Sequence, residues 1–178
     1  MKIHVALPIL IVVVVACSRG EDRSVTGPSG TQVTQAASAS HGPSFNTHLR
    51  GDQEVPPVAT HATGQAILFV AKKSPQLSFK LLVAGIENVT AAHIQCGASG
   101  VNGPVVATLY GGPVVSPTGT LALGSVGDAN LITQPDSPEC PGGVSSFAAL
   151  VDQMRSGNTY VNIHTLGHPG GEIRGQIS

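Results

Sequence analysis

The last stretch of the chain, Gly157 to Ile177, constrains the fold more than any other part: G-N-T-Y-V-N-I-H-T-L-G-H-P-G-G-E-I-R-G-Q-I. Val161, Ile163 and Thr165 alternate with Tyr160, Asn162 and His164, which is the period of a strand. Leu166 to Gly170 contains Gly, Pro and Gly and reads as a turn. Gly171 to Ile177 alternates again, with Ile173 and Ile177 on one face and Glu172, Arg174 and Gln176 on the other. A hairpin that sets Thr165 against Gly171 places His164 opposite Glu172, Asn162 opposite Arg174 and Tyr160 opposite Gln176. One face then belongs to a core, and the other is a ladder of polar groups able to satisfy each other across strands.

The rest of the chain has the same grammar. Thr63–Val70 and Gln76–Ala84 flank Lys72-Lys73-Ser74-Pro75, a hairpin turn. Leu77, Phe79, Leu81 and Val83 face the core in the second of these strands. Val89–Cys96 is a third strand, with His93 and Gln95 on one face. Val105–Tyr110 and Thr118–Leu123 are two more. Gly51 to Val58 carries two prolines and presents Glu54 and Val55 on a stiff extended run, either a cover over a sheet edge or a recognition loop. Asp128–Gly143 has no periodicity and reads as a surface loop. Phe147, Leu150, Val151 and Met154 stand at helical spacing, so one short helix is expected near 147–156, stopped by Gly157. With 22 Gly and 13 Pro, the composition suits many short strands joined by turns.

Charge excludes one class of partner. The net charge is −1 and aromatics make up 3%, so there is neither a basic patch nor a stacking platform for nucleic acid.

Met1–Cys17 has a short positive start followed by an apolar run, Val5–Ala16. As a helix that run spans about 18 Å, short of the ~30 Å hydrocarbon core. A signal peptide over 1–16 is expected. Val14-Val15-Ala16-Cys17 resembles the lipobox of bacterial lipoproteins, which implies cleavage before Cys17 and lipidation of its thiol; Ser18 then resembles an outer-membrane sorting signal. Ordinary secretion is the alternative. Residues 17–44 are rich in Ser, Gly, Thr and Gln and read as a flexible tether with a reach of roughly 25–30 Å. Both readings put the domain, 45–178, outside the cytoplasm.

With Cys17 lipidated, Cys96 and Cys140 remain as an even pair in an oxidising compartment. A disulfide between them would pin the aperiodic loop to the end of the His93 strand. A Cys/His metal or redox site is the other reading, without a C-x-x-C to support it.

Four stretches in order resemble one family: Leu49-Arg50-Gly51-Asp52-Gln53-Glu54-Val55-Pro56-Pro57-Val58 with Thr60–Gly64; Ala91-Ala92-His93-Ile94-Gln95-Cys96-Gly97 with Asn102-Gly103-Pro104-Val105; Tyr160–Thr165; and Pro169–Ile177. The resemblance is to the CHRD domain, the module named after chordin, and covers Phe45–Ser178. It implies an all-β, immunoglobulin-like Greek-key β-sandwich or barrel, extracellular placement and no known enzymatic activity; no cofactor is expected. The family often has H-I-H where this chain has His93-Ile94-Gln95.

The candidate site is therefore a binding or structural polar patch of Glu54, His93, Asn162, His164, Glu172 and Arg174. In it Glu172 is expected to accept from His164, and Arg174 to reach Asn162 or a backbone carbonyl. The partner expected is a cell-surface or extracellular protein or glycan, with the membrane reached only through lipidated Cys17. The alternative is a copper or zinc site on His93, His164 and Glu172. His48, His61 and His168 are expected in solvent. Nucleophilic catalysis lacks a G-x-S-x-G and a base near Ser145 or Ser146. Glycosidase chemistry would need Glu54 and Glu172 together.

Overall fold

The structure, a computed structural model, describes residues 41–178. The expected signal peptide, Cys17 and the expected tether up to residue 40 lie outside the described residues. The strands are β1 (His41–Arg50), β2 (Thr63–Ala71), β3 (Gln76–Ala84), β4 (Val89–Cys96), β5 (Val105–Tyr110), β6 (Gly119–Gly127), β7 (Thr159–Thr165) and β8 (Ile173–Gln176), with one α-helix, α1 (Phe147–Arg155). They form one eight-stranded antiparallel sheet in the order β5-β4-β7-β8-β1-β2-β3-β6. Its two end strands, β5 and β6, approach each other, so the sheet curls into a nearly closed barrel. Consecutive strands β4, β5 and β6 lie side by side around that barrel, with β3 returning next to β6, which is Greek-key order. The all-β expectation holds, as a single curled sheet.

The barrel interior is built by alternation. On β3, Leu77, Phe79, Leu81 and Val83 are buried while their neighbours face outward. Leu49, Leu68, Ile94, Val161, Ile163 and Ile173 complete the centre. Burying each such side chain is worth about 1.5–3 kcal/mol relative to exposure.

Helix α1 closes one side of the core with Phe147, Leu150, Val151 and Met154. Ser146 caps it, its Oγ accepting from Ala149 N at 3.2 Å, and Asp128 Oδ1 accepts from Phe147 N at 2.8 Å. Gly157 stops it with φ +68°. Ser146 is therefore the N-cap of α1.

Some boundaries differ from those expected. Strand β1 begins at His41, so 41–44 belong to the sheet and not to a tether; pairing with β2 draws them in despite their polar composition. Strand β6 runs on to Gly127, because its pairing with β3 continues from Gly119 to Gly127 past the apolar run. The 128–143 segment contains a 3₁₀ turn at Asp128–Asn130 and is otherwise irregular, and a Cys96–Cys140 disulfide ties it to the end of β4.

That bond spans 44 residues of sequence. Replacing Cys96 and Cys140 together with alanine should lower the unfolding free energy by about 4 kcal/mol. Urea unfolding checks this; a loss under about 1 kcal/mol would mean that other contacts already hold the loop.

Candidate functional site

Strand β7 reads as half-buried in sequence, but every one of its residues is buried. Its inner face belongs to the core. Its outer face joins those of β4 and β8 into a polar grid. His93 pairs with Asn162, Gln95 with Tyr160, Asn162 with Arg174 and Tyr160 with Gln176. The expected hairpin register is therefore observed from Tyr160–Gln176 to Ile163–Ile173, while the expected His164–Glu172 and Thr165–Gly171 pairs lie beyond the start of β8 and are not formed. Three connections roof the grid: the run after β1, the β4–β5 loop and the β7–β8 turn.

Arg174 anchors this roof. It is 1% exposed, with its guanidinium carbon 3.4 Å from the centroid of the Tyr160 ring. Its Nη2 donates to Ala98 O at 3.0 Å and Val101 O at 2.9 Å, and its Nη1 to Asn102 Oδ1 at 3.2 Å. Tyr160 Oη accepts from Gly103 N at 3.0 Å, and Gln176 Nε2 donates to Gly97 O at 2.8 Å. Asn102 Nδ2 then donates to Val55 O at 2.7 Å, which links one loop to the next. Arg174 thus reaches backbone carbonyls and Asn102, not Asn162.

The run after β1 is a cover, and it points its carboxylate inward. Glu54 is 5% exposed, and its Oε2 accepts from Asn162 Nδ2 at 3.5 Å. The same amide donates to Gln95 Oε1 and Gly170 O, each at 3.5 Å. Gly171 makes this closeness possible. A Cβ there would lie 2.5 Å from Asn162 Oδ1 and 2.7 Å from Glu54 Oε1, and its φ of +130° suits glycine. On the other side of Asn162, the His93 and His164 ring centroids are 5.0 Å apart. His164 Nδ1 lies 3.0 Å from Pro169 O. A carbonyl only accepts, so this contact puts the proton of the neutral ring on Nδ1 and the lone pair on Nε2.

Burial sets the electrostatics. It raises Glu54 to about 7, against the opposing pull of Arg174 and the Asn162 hydrogen bond. It lowers His93 to about 4, with His164 adding to the effect. It also lowers His164, against the hydrogen bond that the ring donates to Pro169 O. Both rings are neutral at physiological pH.

Five of the six expected site residues therefore assemble: Glu54, His93, Asn162, His164 and Arg174. Glu172 does not. Its Oε1 accepts from Thr60 Oγ1 at 2.8 Å and its Oε2 from Thr165 Oγ1 at 2.7 Å. It secures the segment before β2 and takes nothing from His164. The strand period that put it on the grid stops at Ile173, where β8 begins. The metal set His93, His164 and Glu172 is accordingly not assembled. Asn102, Gln95 and Gln176 are structural members of the site that were not singled out. Gln95 and Gln176 alternate in phase with His93 and Arg174, which was a usable signal. His48 and His61 are exposed, and His168 is half-buried.

Above Glu54 lies a groove of about 350 Å³, lined by Val55, Pro56, Pro57, Asn102, His168 and Gly170 among others. A larger cleft of about 510 Å³ runs beside Arg50, Asp52, Thr60 and His61. Its ion pair, Arg50–Asp52 at 3.2 Å, is solvated. The groove adjoins the perturbed groups and is the better candidate.

The Glu54 carboxyl should be visible in stability against pH. Its folded pKa is raised, so its contribution is full below about 4.5 and is lost as pH rises through about 7. His93 is depressed and works oppositely, its contribution being lost as pH falls from 6.5 through about 4. In EDTA-containing buffer, Glu54→Gln should make stability climb more steeply with pH between these limits than in the parent. Urea unfolding at several pH values checks this; identical slopes would refute a buried, proton-holding Glu54.

The chain was also compared with known proteins. A family model described as CHRD domain matches residues 45–177. No curated protein and no solved structure matches the chain. Grid, covering loops and disulfide all fall within the matched span, and the chain belongs to the CHRD domain family.

Proposed function

We propose that this chain is an extracytoplasmic binding module without catalytic activity, which presents the Glu54 groove to a cell-surface or extracellular protein or glycan. The observation that carries the reading is the groove itself. Its walls hold Pro56, Pro57 and Pro169, and Asn102 ties the Val55 segment to the Arg174-held loop. Such a surface is preorganised, so a guest loses less free energy to loop ordering on binding. Family membership and the disulfide are consistent with an extracellular or secreted protein. The lipobox-like Val14–Cys17 supports a lipid on Cys17 and placement at the cell envelope, in the outer membrane where the cell has two, with release by ordinary secretion as the alternative. Net charge −1 supports no role in nucleic-acid binding.

Gly170 lines the groove, and a Cβ there would meet nothing within 4 Å. Gly170→Tyr should therefore fill the groove without disturbing the fold. Purified full-length protein should bind at least one glycan or envelope component saturably on arrays and on intact cells, and Gly170→Tyr should weaken that binding by about tenfold or more, roughly 1.4 kcal/mol. Saturable binding indifferent to Gly170→Tyr would refute the groove, and no saturable ligand would refute the module. For the anchor, Cys17→Ser should abolish metabolic labelling by fatty acid and move the protein out of the membrane fraction.

A further inference from the structure

Beneath the groove, the grid holds an unmet demand. Among the described residues, the buried side-chain polar atoms without a hydrogen-bond partner are Glu54 Oε1, His93 Nδ1, Asn162 Oδ1, His164 Nε2 and Thr159 Oγ1. All but Thr159 belong to the same cluster. A buried polar atom left unpaired costs about 1–3 kcal/mol, so orphans gathered in one place call for a common explanation. Asn162 Oδ1 and an ionised Glu54 Oε1 can only accept, and His164 Nε2 is fixed as an acceptor by the Nδ1 contact to Pro169. No side-chain donor satisfies them.

We propose that His93 Nδ1 and His164 Nε2 are the nitrogen ligands of a zinc- or copper-class metal ion, with oxygen supplied by water and by Glu54 or Asn162. Two imidazoles that bind one ion at about 2.0–2.1 Å and a near-tetrahedral angle hold their ring centres about 5 Å apart. The observed separation is 5.0 Å. The Nδ1–H of His164 directed at Pro169 O is the orienting contact that metal-bound imidazoles make with their free nitrogen. Borderline cations such as zinc and copper suit imidazole nitrogen with oxygen donors. Among the described residues, no group of three or more His, Cys, Asp and Glu side chains is placed to hold a metal ion. The structure therefore holds a two-nitrogen half-site, completed by a carboxamide or water, or by a shift of Glu54. Glu172 has no part in it.

The test uses full-length protein carrying Cys17→Ser, which removes the one thiol outside the disulfide. The protein is stripped with EDTA, dialysed, and titrated with zinc(II) by calorimetry and with copper(II) by electron paramagnetic resonance. The expected result is one zinc per chain, bound at roughly micromolar affinity or tighter. His93→Gln and His164→Gln should each weaken it by about tenfold or more, while the exposed His61→Gln leaves it unchanged. The copper spectrum should show two nitrogen ligands in the parent and one fewer in each variant. Should a variant fail to fold, the nitrogen count in the parent decides alone. No stoichiometric uptake, uptake unchanged in folded His93→Gln and His164→Gln, or a parent spectrum without two imidazole nitrogens would overturn the site and assign the orphaned acceptors to bridging water.

Discussion

A buried guanidinium holds this molecule's outer layer in place. Arg174 has lost its hydration shell, and it has no hydrogen-bonded carboxylate to replace it. Its charge is spread over carbonyl and amide oxygens and the face of Tyr160. Those oxygens belong to one loop, and they must stay where they are if the cation is to remain buried. A single side chain thus converts the β4–β5 connection from a free loop into a fixed surface. Asn102 passes that order on to the Val55 segment. Asn102 belongs to a loop, so the order reaches two connections from one strand position.

This explains how β7 can be buried on both faces in an antiparallel sheet, where one face ordinarily meets water. In a sandwich, a second sheet would cover the outer face with apolar side chains. Here loops cover it, and loops bring backbone donors and acceptors with them. The covered strand face must then be polar to match. Tyr160, Gln176 and Arg174 answer the β4–β5 loop completely enough to leave none of their own atoms orphaned. The matching is less complete around Glu54, Asn162 and the two histidines. The two halves of the grid thus differ in kind: one is closed by the protein itself, and the other is left short of donors.

How much was legible in the sequence depended on the range of the interactions. The hairpin register followed from alternation in Tyr160–Ile177, because a one-residue slip would have put Arg174 in the core. The helix followed from Phe147, Leu150, Val151 and Met154, a purely local signal. Glu172 was misplaced because strand alternation was carried back past Ile173, where β8 begins, toward Gly171, whose φ of +130° is not that of a strand. Its true partner Thr60 lies 112 residues away in sequence, and Glu54 meets Asn162 across 108. No local pattern encodes such meetings. The polar pattern of β7 showed which residues share a face but not whether that face is wet. That depends on the loops above it, whose course is set by contacts such as Arg174 to Ala98.

The position of β1 has a mechanical consequence. It enters at His41, lies between β2 and β8, and leads straight into the segment that carries Glu54. The other end of the chain meets the same strand, with Asn46 N donating to Ser178 O at 3.4 Å. A pull applied upstream of His41 and resisted at the groove would therefore run along one strand, bypassing most of the barrel. The long antiparallel pairing of β1 with β2 would bear that load in shear, with many backbone hydrogen bonds strained together rather than opened one at a time.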